Sequence, residues 1–430
     1  MPGRRLIAAL AGCLALSVMT ATPPGVGAET PETSGTPETP GIAAIAGSHE
    51  VPLTRDRPYG IEGIEVAEAP LLAGSICLPD ASPASLATLF DTEPARIIGA
   101  DYPRTLALPT GEVLWTFQDA KMRLADGSIR ILHNIGMVQR DNCFDLLRSG
   151  TVSEPGPWLF PDDTAERFRW FWPLDAEIGS DGDIYVFAAD MRELGEEYLS
   201  HTVPVATFVA RVDPTTWNVE WYGSPPDASG DLYGWSIASD REWTYLFAQC
   251  HRQFGFDPYI FVLAHDRSCT DRVTVARVPK GRLFDRPHYW HGSGWTTQST
   301  RAVPIIDQSD RFASPTQVLF RNNHWVAVTK LDDWWGDEVV VERALRPTGP
   351  YLEINRFVVT PKCALDCNTY FSSFVEPAAG SSPDEPLMLS LSHNRWDGVV
   401  SSFYRPTFFT IDAPPNVPAA AARCSLDHCT

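Results

Sequence analysis

The chain has 430 residues, 34 basic against 54 acidic side chains, a formal charge of −20, 44% hydrophobic residues, 37 prolines and 30 glycines. That charge opposes long-range attraction to phosphate backbones or anionic lipid, so nucleic acid is not an expected partner. The apolar content suffices for a large core, and the density of turn formers favours short strands over long helices.

At the N-terminus, Arg4 and Arg5 precede an apolar run from Leu6 to Ala21, and Val26-Gly27-Ala28 forms a small-residue site ahead of Glu29. These are the three regions of an export signal, so residues 1–28 are expected to be removed and the protein to be secreted. Leu10-Ala11-Gly12-Cys13 competes as a lipobox, but it lies early and the apolar run continues past it. No later stretch offers the ~18 unbroken apolar residues of a membrane span, so no membrane contact is expected beyond the export signal. Residues 29–50, rich in Thr, Pro, Gly and Glu, read as a disordered linker. Residues 51–98 read as an N-terminal segment packing on the main fold, 99–412 as that fold, and 413–430 as a tail with cysteines.

Without Cys13, eight cysteines remain in what is expected to be an oxidising compartment, where disulfides are the default. Local spacing makes Cys250 with Cys269, Cys363 with Cys367 and Cys424 with Cys429 plausible pairs, which leaves Cys77 for Cys143. Zinc is the rival, yet no pair has CxxC spacing and no histidine follows at finger distance. No metal or other cofactor is expected.

Between the tails one pattern recurs: a polar turn followed by a short β-branched and aromatic run. It appears at 106–119, 172–190, 234–249, 315–330 and 373–393. Equivalent positions Trp115, Tyr185, Tyr245, Trp325 and Met388 are 70, 60, 80 and 63 residues apart, the size of a propeller blade. The spacing predicts an all-β chain forming a five-bladed β-propeller, with a β-sandwich as the alternative. In a propeller, functional residues belong near the starts of the inner strands. One short helix is predicted, over 190–199, with Glu193, Glu196 and Glu197 on a solvated face.

Asp101 would lie at the start of the first inner strand and Asp119 at the end of its neighbour, so the antiparallel return brings both carboxylates to one end of the blade. Glycoside cleavage needs one carboxyl that stays protonated and one that activates water or attacks the sugar. An equally ordinary reading has Asp101 capping a turn and Asp119 ending a strand.

The stretch Gly99-Ala100-Asp101-Tyr102-Pro103-Arg104, continuing to Trp115-Thr116-Phe117-Gln118-Asp119-Ala120, resembles the opening blade motif of secreted actinobacterial five-bladed propellers related to the endo-D-arabinanases. There an Asp precedes a hairpin closed by Trp-x-Phe-Gly-Asp-Thr. The likeness continues more faintly through Asn134 and through Phe171-Trp172-Pro173-Leu174-Asp175, over about the first quarter of the expected mature chain. It implies a secreted glycoside hydrolase acting on an arabinan-like polysaccharide, with Asp101 and Asp119 as the acid/base pair and Asn134 contacting substrate. Gln118 and Ala120 depart from the motif, which leaves a non-catalytic carbohydrate-binding or protein-interaction propeller as the alternative.

Asp175 is a candidate third catalytic carboxylate adjusting a neighbour's pKa, with Glu177 and Glu376 behind it. Arg104 would orient a carboxylate or hydroxyl group. Trp172, Trp235 and Trp295 are candidate sugar platforms, alongside the aromatic loops 288–291 and 332–337, against ordinary inter-blade packing. Asp181-Gly182-Asp183 reads as a hairpin turn and not a calcium loop. No serine-hydrolase elbow, Walker loop or dinucleotide fingerprint occurs in a suitable context.

Overall fold

The computed structural model describes residues 63–65, 71–72, 75–90, 97–151, 153–160, 169–193, 202–227, 232–249, 272–307, 316–332, 336–359, 367–376, 386–397 and 400–411. Three short strands come first, β1 (Gly63–Glu65), β2 (Leu71–Leu72) and β3 (Ile76–Cys77). The helix α1 (Pro83–Ala87) follows, with Pro83 opening it and the Ser82 hydroxyl accepting from the Ser85 amide.

The first sheet is built on β4 (Ile97–Ala100), β5 (Arg104–Ala107), β6 (Val113–Arg123), β7 (Ile129–Arg140), β8 (Cys143–Gly150) and β9 (Pro155–Gly156). The second contains β10 (Arg169–Ile178), β11 (Ile184–Glu193), β12 (Thr202–Val212) and β13 (Val219–Gly223). The third contains β14 (Ser236–Ser239), β15 (Trp243–Gln249), β16 (Arg272–Pro279), β17 (His288–Trp290), β18 (Trp295–Thr296) and β19 (Ile306–Asp307). The fourth is β20 (Gln317–Arg321), β21 (His324–Lys330), β22 (Glu338–Ala344) and β23 (Leu352–Val358). The fifth is β24 (Cys367–Val375), β25 (Leu387–Asp397) and β26 (Val400–Ile411). All pairings are antiparallel, and the N-terminal strands extend outer edges: β2 and β3 pair with β8, and β1 pairs with β13.

The five recurring sequence segments coincide with the hairpins β5–β6, β10–β11, β14–β15, β20–β21 and β24–β25. Four of the five repeat positions are aromatic, and some of these rings pack against a neighbouring sheet. Trp115 meets Phe408 of the fifth sheet edge-on at 6.1 Å, and Trp325 meets Tyr245 of the third at 4.8 Å.

Polar side chains then tie each inner strand to the next. Gln118 Nε2 donates to the Pro173 carbonyl at 3.1 Å, and the Ile237 amide donates to Asp175 Oδ2 at 2.8 Å. Ser236 Oγ accepts from the Val318 amide at 2.9 Å, and Gln317 Oε1 accepts from the Phe374 amide at 2.6 Å. The fifth sheet returns to the first, where the Glu376 amide donates to Thr105 Oγ1 at 2.7 Å and the Ala107 amide to Glu376 Oε2 at 3.0 Å. Because inner strands of different sheets share no backbone ladder, these bonds satisfy buried groups that would otherwise be orphaned. The arrangement is all-β and propeller-like.

Three expectations meet the structure here. Residues 190–193 of the predicted helix are the end of β11, where Asp190 makes a two-pronged ion pair with Arg169 at 2.9 and 3.0 Å; the remainder of that segment lies outside the described residues. Gly182 (φ 92°) does turn the β10–β11 hairpin, and Asp181 accepts from the Asp183 amide and the Tyr185 hydroxyl. Cys77 and Cys143 are disulfide-linked, and Cys367 is also in a disulfide. Cys250, Cys269, Cys363, Cys424 and Cys429 lie outside the described residues, as do the export-signal segment, residues 29–50 and the tail 413–430.

Candidate active site

Asp101 lies between β4 and β5, which both pair with β6. That double pairing carries β6 on to Arg123, so Asp119 stands inside the strand and not at its end. The two aspartates are joined by backbone: the Asp101 amide donates to the Asp119 carbonyl, and the Asp119 amide donates to Asp101 Oδ1, each at 3.0 Å. Next to Asp101, Tyr102 holds the left-handed φ of 46°, unusual for an aromatic residue, while its amide donates to Ser392 Oγ at 2.8 Å. This turn sends the Asp101 carboxyl toward the fifth sheet, where Tyr370 donates its hydroxyl to Oδ2 at 2.8 Å and Asn394 Nδ2 donates to that hydroxyl oxygen at 3.2 Å.

The two carboxyls occupy unlike surroundings. Asp101 is 7% exposed, and burial first, then the charge of Asp119, push its pKa up to about 7 against the opposing hydroxyls of Tyr404 and Tyr370. Asp119 keeps a fifth of its side chain exposed. Its Oδ1 meets His133 Nδ1 at 2.5 Å and accepts from Trp172 Nε1 at 2.8 Å, whereas Oδ2 makes no hydrogen bond among the described residues. His133 is stacked on Trp170 at 5.3 Å. Lys121 sits over the Tyr404 ring at 4.6 Å; burial lowers its pKa, and the two aspartates oppose that.

Asp175 belongs to a second group. With Glu177 and Glu376 it lines a cavity of about 160 Å³ to which the inner strands of the first four sheets and the residue following β24 contribute. Burial raises all three carboxyls, Asp175 to about 6 and Glu376 to about 7. Arg104 is the main charge holding Asp175 down, and Ser239 donates to Glu177. Asp175 does act on a neighbour, Glu376, whose pKa its charge helps to raise, and Asp175 itself answers to Arg104 and Glu177, while the charge acting on Asp101 is that of Asp119.

Of the remaining sequence candidates, Trp172 reaches the pair, but as a hydrogen-bond donor in a buried position and not as an open platform. Arg104 is buried against Tyr102, its guanidinium 4.5 Å from the ring centre and bonded to the Tyr102 hydroxyl. Asn134 is a correction: its Oδ1 accepts from the amides of Leu159 and Phe160 at 2.9 Å and its Nδ2 donates to the Phe171 carbonyl at 3.3 Å, so it braces a loop, and its complete burial closes it to substrate. Trp235 is also buried, edge-on to Tyr102 at 5.8 Å, which makes it core. Trp295 lies at the outer part of the third sheet over Arg277 at 4.2 Å, away from the aspartates' bonding partners. In the aromatic loops, residues 333–335 lie outside the described residues.

Sequence reading missed His133, Tyr370 and Tyr404. His133 carried a signal: the Asp126-Gly127 turn sets a register in which Arg123 faces Ile129 and Asp119 faces His133.

None of the curated proteins is significantly similar in sequence. Among solved structures, a presumed hydrolase from Bacteroides ovatus ATCC 8483 superposes with a TM-score of 0.57 at 17% identity, covering 75% of this chain and 87% of that one, a likeness of fold. The GH43_1 enzyme from Xanthomonas citri complexed with xylose gives a TM-score of 0.42 at 14% identity over 76% of this chain and 93% of its own. With the family description "domain of unknown function (DUF5005)" matching residues 88–413, the chain belongs to that family.

Proposed function

We propose that this protein is a secreted five-bladed propeller that hydrolyses an extracellular or cell-wall polysaccharide of arabinan-like character, with Asp101 and Asp119 as its acid/base pair. The observation that carries the reading is the inequality of two joined carboxyls. Asp101 is buried with a pKa pushed up to about 7, while Asp119 has one oxygen clamped and the other open. Glycoside cleavage uses such a division: a carboxyl still protonated near neutrality protonates the departing oxygen, and an open carboxylate oxygen attacks the anomeric carbon or takes a proton from water. The five sheets act as the five blades, and the hydrogen-bonded return from Glu376 to Ala107 supports that closure.

The test is product release from a panel of purified cell-wall glycans that includes D-arabinan, by the parent beside Asp101→Asn and Asp119→Asn variants of confirmed fold. Fragments from the parent that disappear in both variants are expected. Glycan binding without fragments from the parent would replace hydrolysis by recognition.

A further inference from the structure

The contact between His133 and Asp119 is more specific than packing requires. The two residues are directly opposed in the β6–β7 ladder, their side chains meet at 2.5 Å, and both remain partly exposed, at 23% and 20%. The imidazole plane is fixed from the far side by Trp170, nearly parallel at 25°. Trp172 Nε1, from the second sheet, approaches the same oxygen, Oδ1. Two contacts on one oxygen restrict the rotation of the carboxylate plane, while Oδ2 makes no hydrogen bond among the described residues. An indole N–H can only donate, and a carboxylate oxygen can only accept, so the remaining position on Oδ1 suits an imidazole with its proton on Nδ1.

We propose that His133 is a positioning residue for the proposed hydrolysis: it donates an Nδ1 proton to Asp119 Oδ1 and, with Trp172, aims Oδ2 at the reacting carbon or water. Its kinetic consequences rest on the hydrolase reading, but the clamp itself does not. Among the described residues, charged and titratable groups that bear on Asp119 include Asp101 from the β4–β5 turn, Lys121 from β6, Tyr370 from β24 and Tyr404 from β26.

Two measurements test this on the full chain. The first is the ¹⁵N shift of the His133 ring in the parent and in Asp119→Asn. A protonated Nδ1 in the parent that is altered in the variant is expected; an unprotonated Nδ1 facing Asp119 would overturn the clamp, whether or not any glycan is cleaved. The second compares His133→Leu with His133→Asn, whose amide nitrogen can stand near the position of Nδ1. On the best glycan, the Leu variant should lose about ten- to a hundredfold in kcat with KM little changed, and the Asn variant should recover most of it. Equal losses in both variants, or parental kcat in His133→Leu, would overturn the positioning role. A parent that cleaves no glycan would sink the hydrolase reading alone, leaving the ring shifts to decide the clamp.

Discussion

Among the described residues, five carboxyls, Asp101, Asp175, Glu177, Asp183 and Glu376, bind protons more tightly in the fold than in the free chain, and burial is the first cause in each. The sign follows from linkage. Between the ordinary carboxyl value and the raised one, the folded state holds more protons than the unfolded state, so stability is greatest at the acid end of that window and is lost as pH rises through the folded value. For Asp175 the window runs from 3.8 to about 6, corresponding to about 3 kcal/mol at 1.36 kcal/mol per pKa unit. Urea unfolding of the parent at pH 5 and pH 8 should show a loss at the higher pH that is distinctly smaller in Asp175→Asn. Parallel pH dependence in the two proteins would mean that Asp175 titrates as an ordinary carboxyl. The same reasoning gives the activity profile its alkaline side. If Asp101 supplies the proton, kcat on the cleaved glycan should fall as pH rises past about 7, because the carboxyl is then empty. A rate flat to pH 9 would assign the acid role to another group.

At the scale of strands and hairpins, the departure Gln118 acquires a physical account. Its amide reaches across to the Pro173 carbonyl of the neighbouring sheet, so a side chain takes over an inter-sheet contact that glycine in the motif has no atoms to make. Gln118→Ala strands a buried carbonyl and should cost about 1–3 kcal/mol in urea unfolding, with no such loss if water replaces the amide. The five hairpins were legible because each is a local object: turn residues and alternating apolar runs lie within about 20 residues of one another. His133 was legible in principle by the same logic, since the Asp126-Gly127 turn sets its register with Asp119. Over 190–193, the described part of the helix expected at 190–199, the chain is strand, and locality fails there. Asp190 reads as the first residue of that helix, yet its partner is Arg169, 21 residues back on the adjacent strand, which lets the carboxylate be buried in β11. Asn134 misled for a related reason: a polar residue beside a candidate site looks available until the loop amides of Leu159 and Phe160 are found on it.

Over the whole molecule, the feature no local pattern could show is the return of the fifth sheet to the first. Tyr370 meets Asp101 across 269 residues of sequence, and Gly99 lies so close to the last strand that an added Cβ would stand 2.1 Å from the Tyr404 carbonyl oxygen. The candidate site thus depends on closure, since the hydroxyls that oppose the raised Asp101 pKa belong to the last sheet. The closing bonds are reciprocal, with the Glu376 amide on Thr105 Oγ1 and Glu376 Oε2 accepting from the Ala107 amide. Removing that carboxyl leaves a part-buried N–H without its acceptor, at a cost of up to about 1–3 kcal/mol. Because the loss falls on one seam, it should be read as local opening before global unfolding. Hydrogen exchange of Glu376→Ala should therefore quicken in β5 and β24 while β16, in the third sheet, keeps its parental protection, and Glu376→Gln, which retains a carbonyl acceptor, should lie between the two. Uniformly faster exchange in all sheets would mean that the seam opens only with the entire fold, and unchanged protection in β5 would mean that the first and last sheets are held together without Glu376.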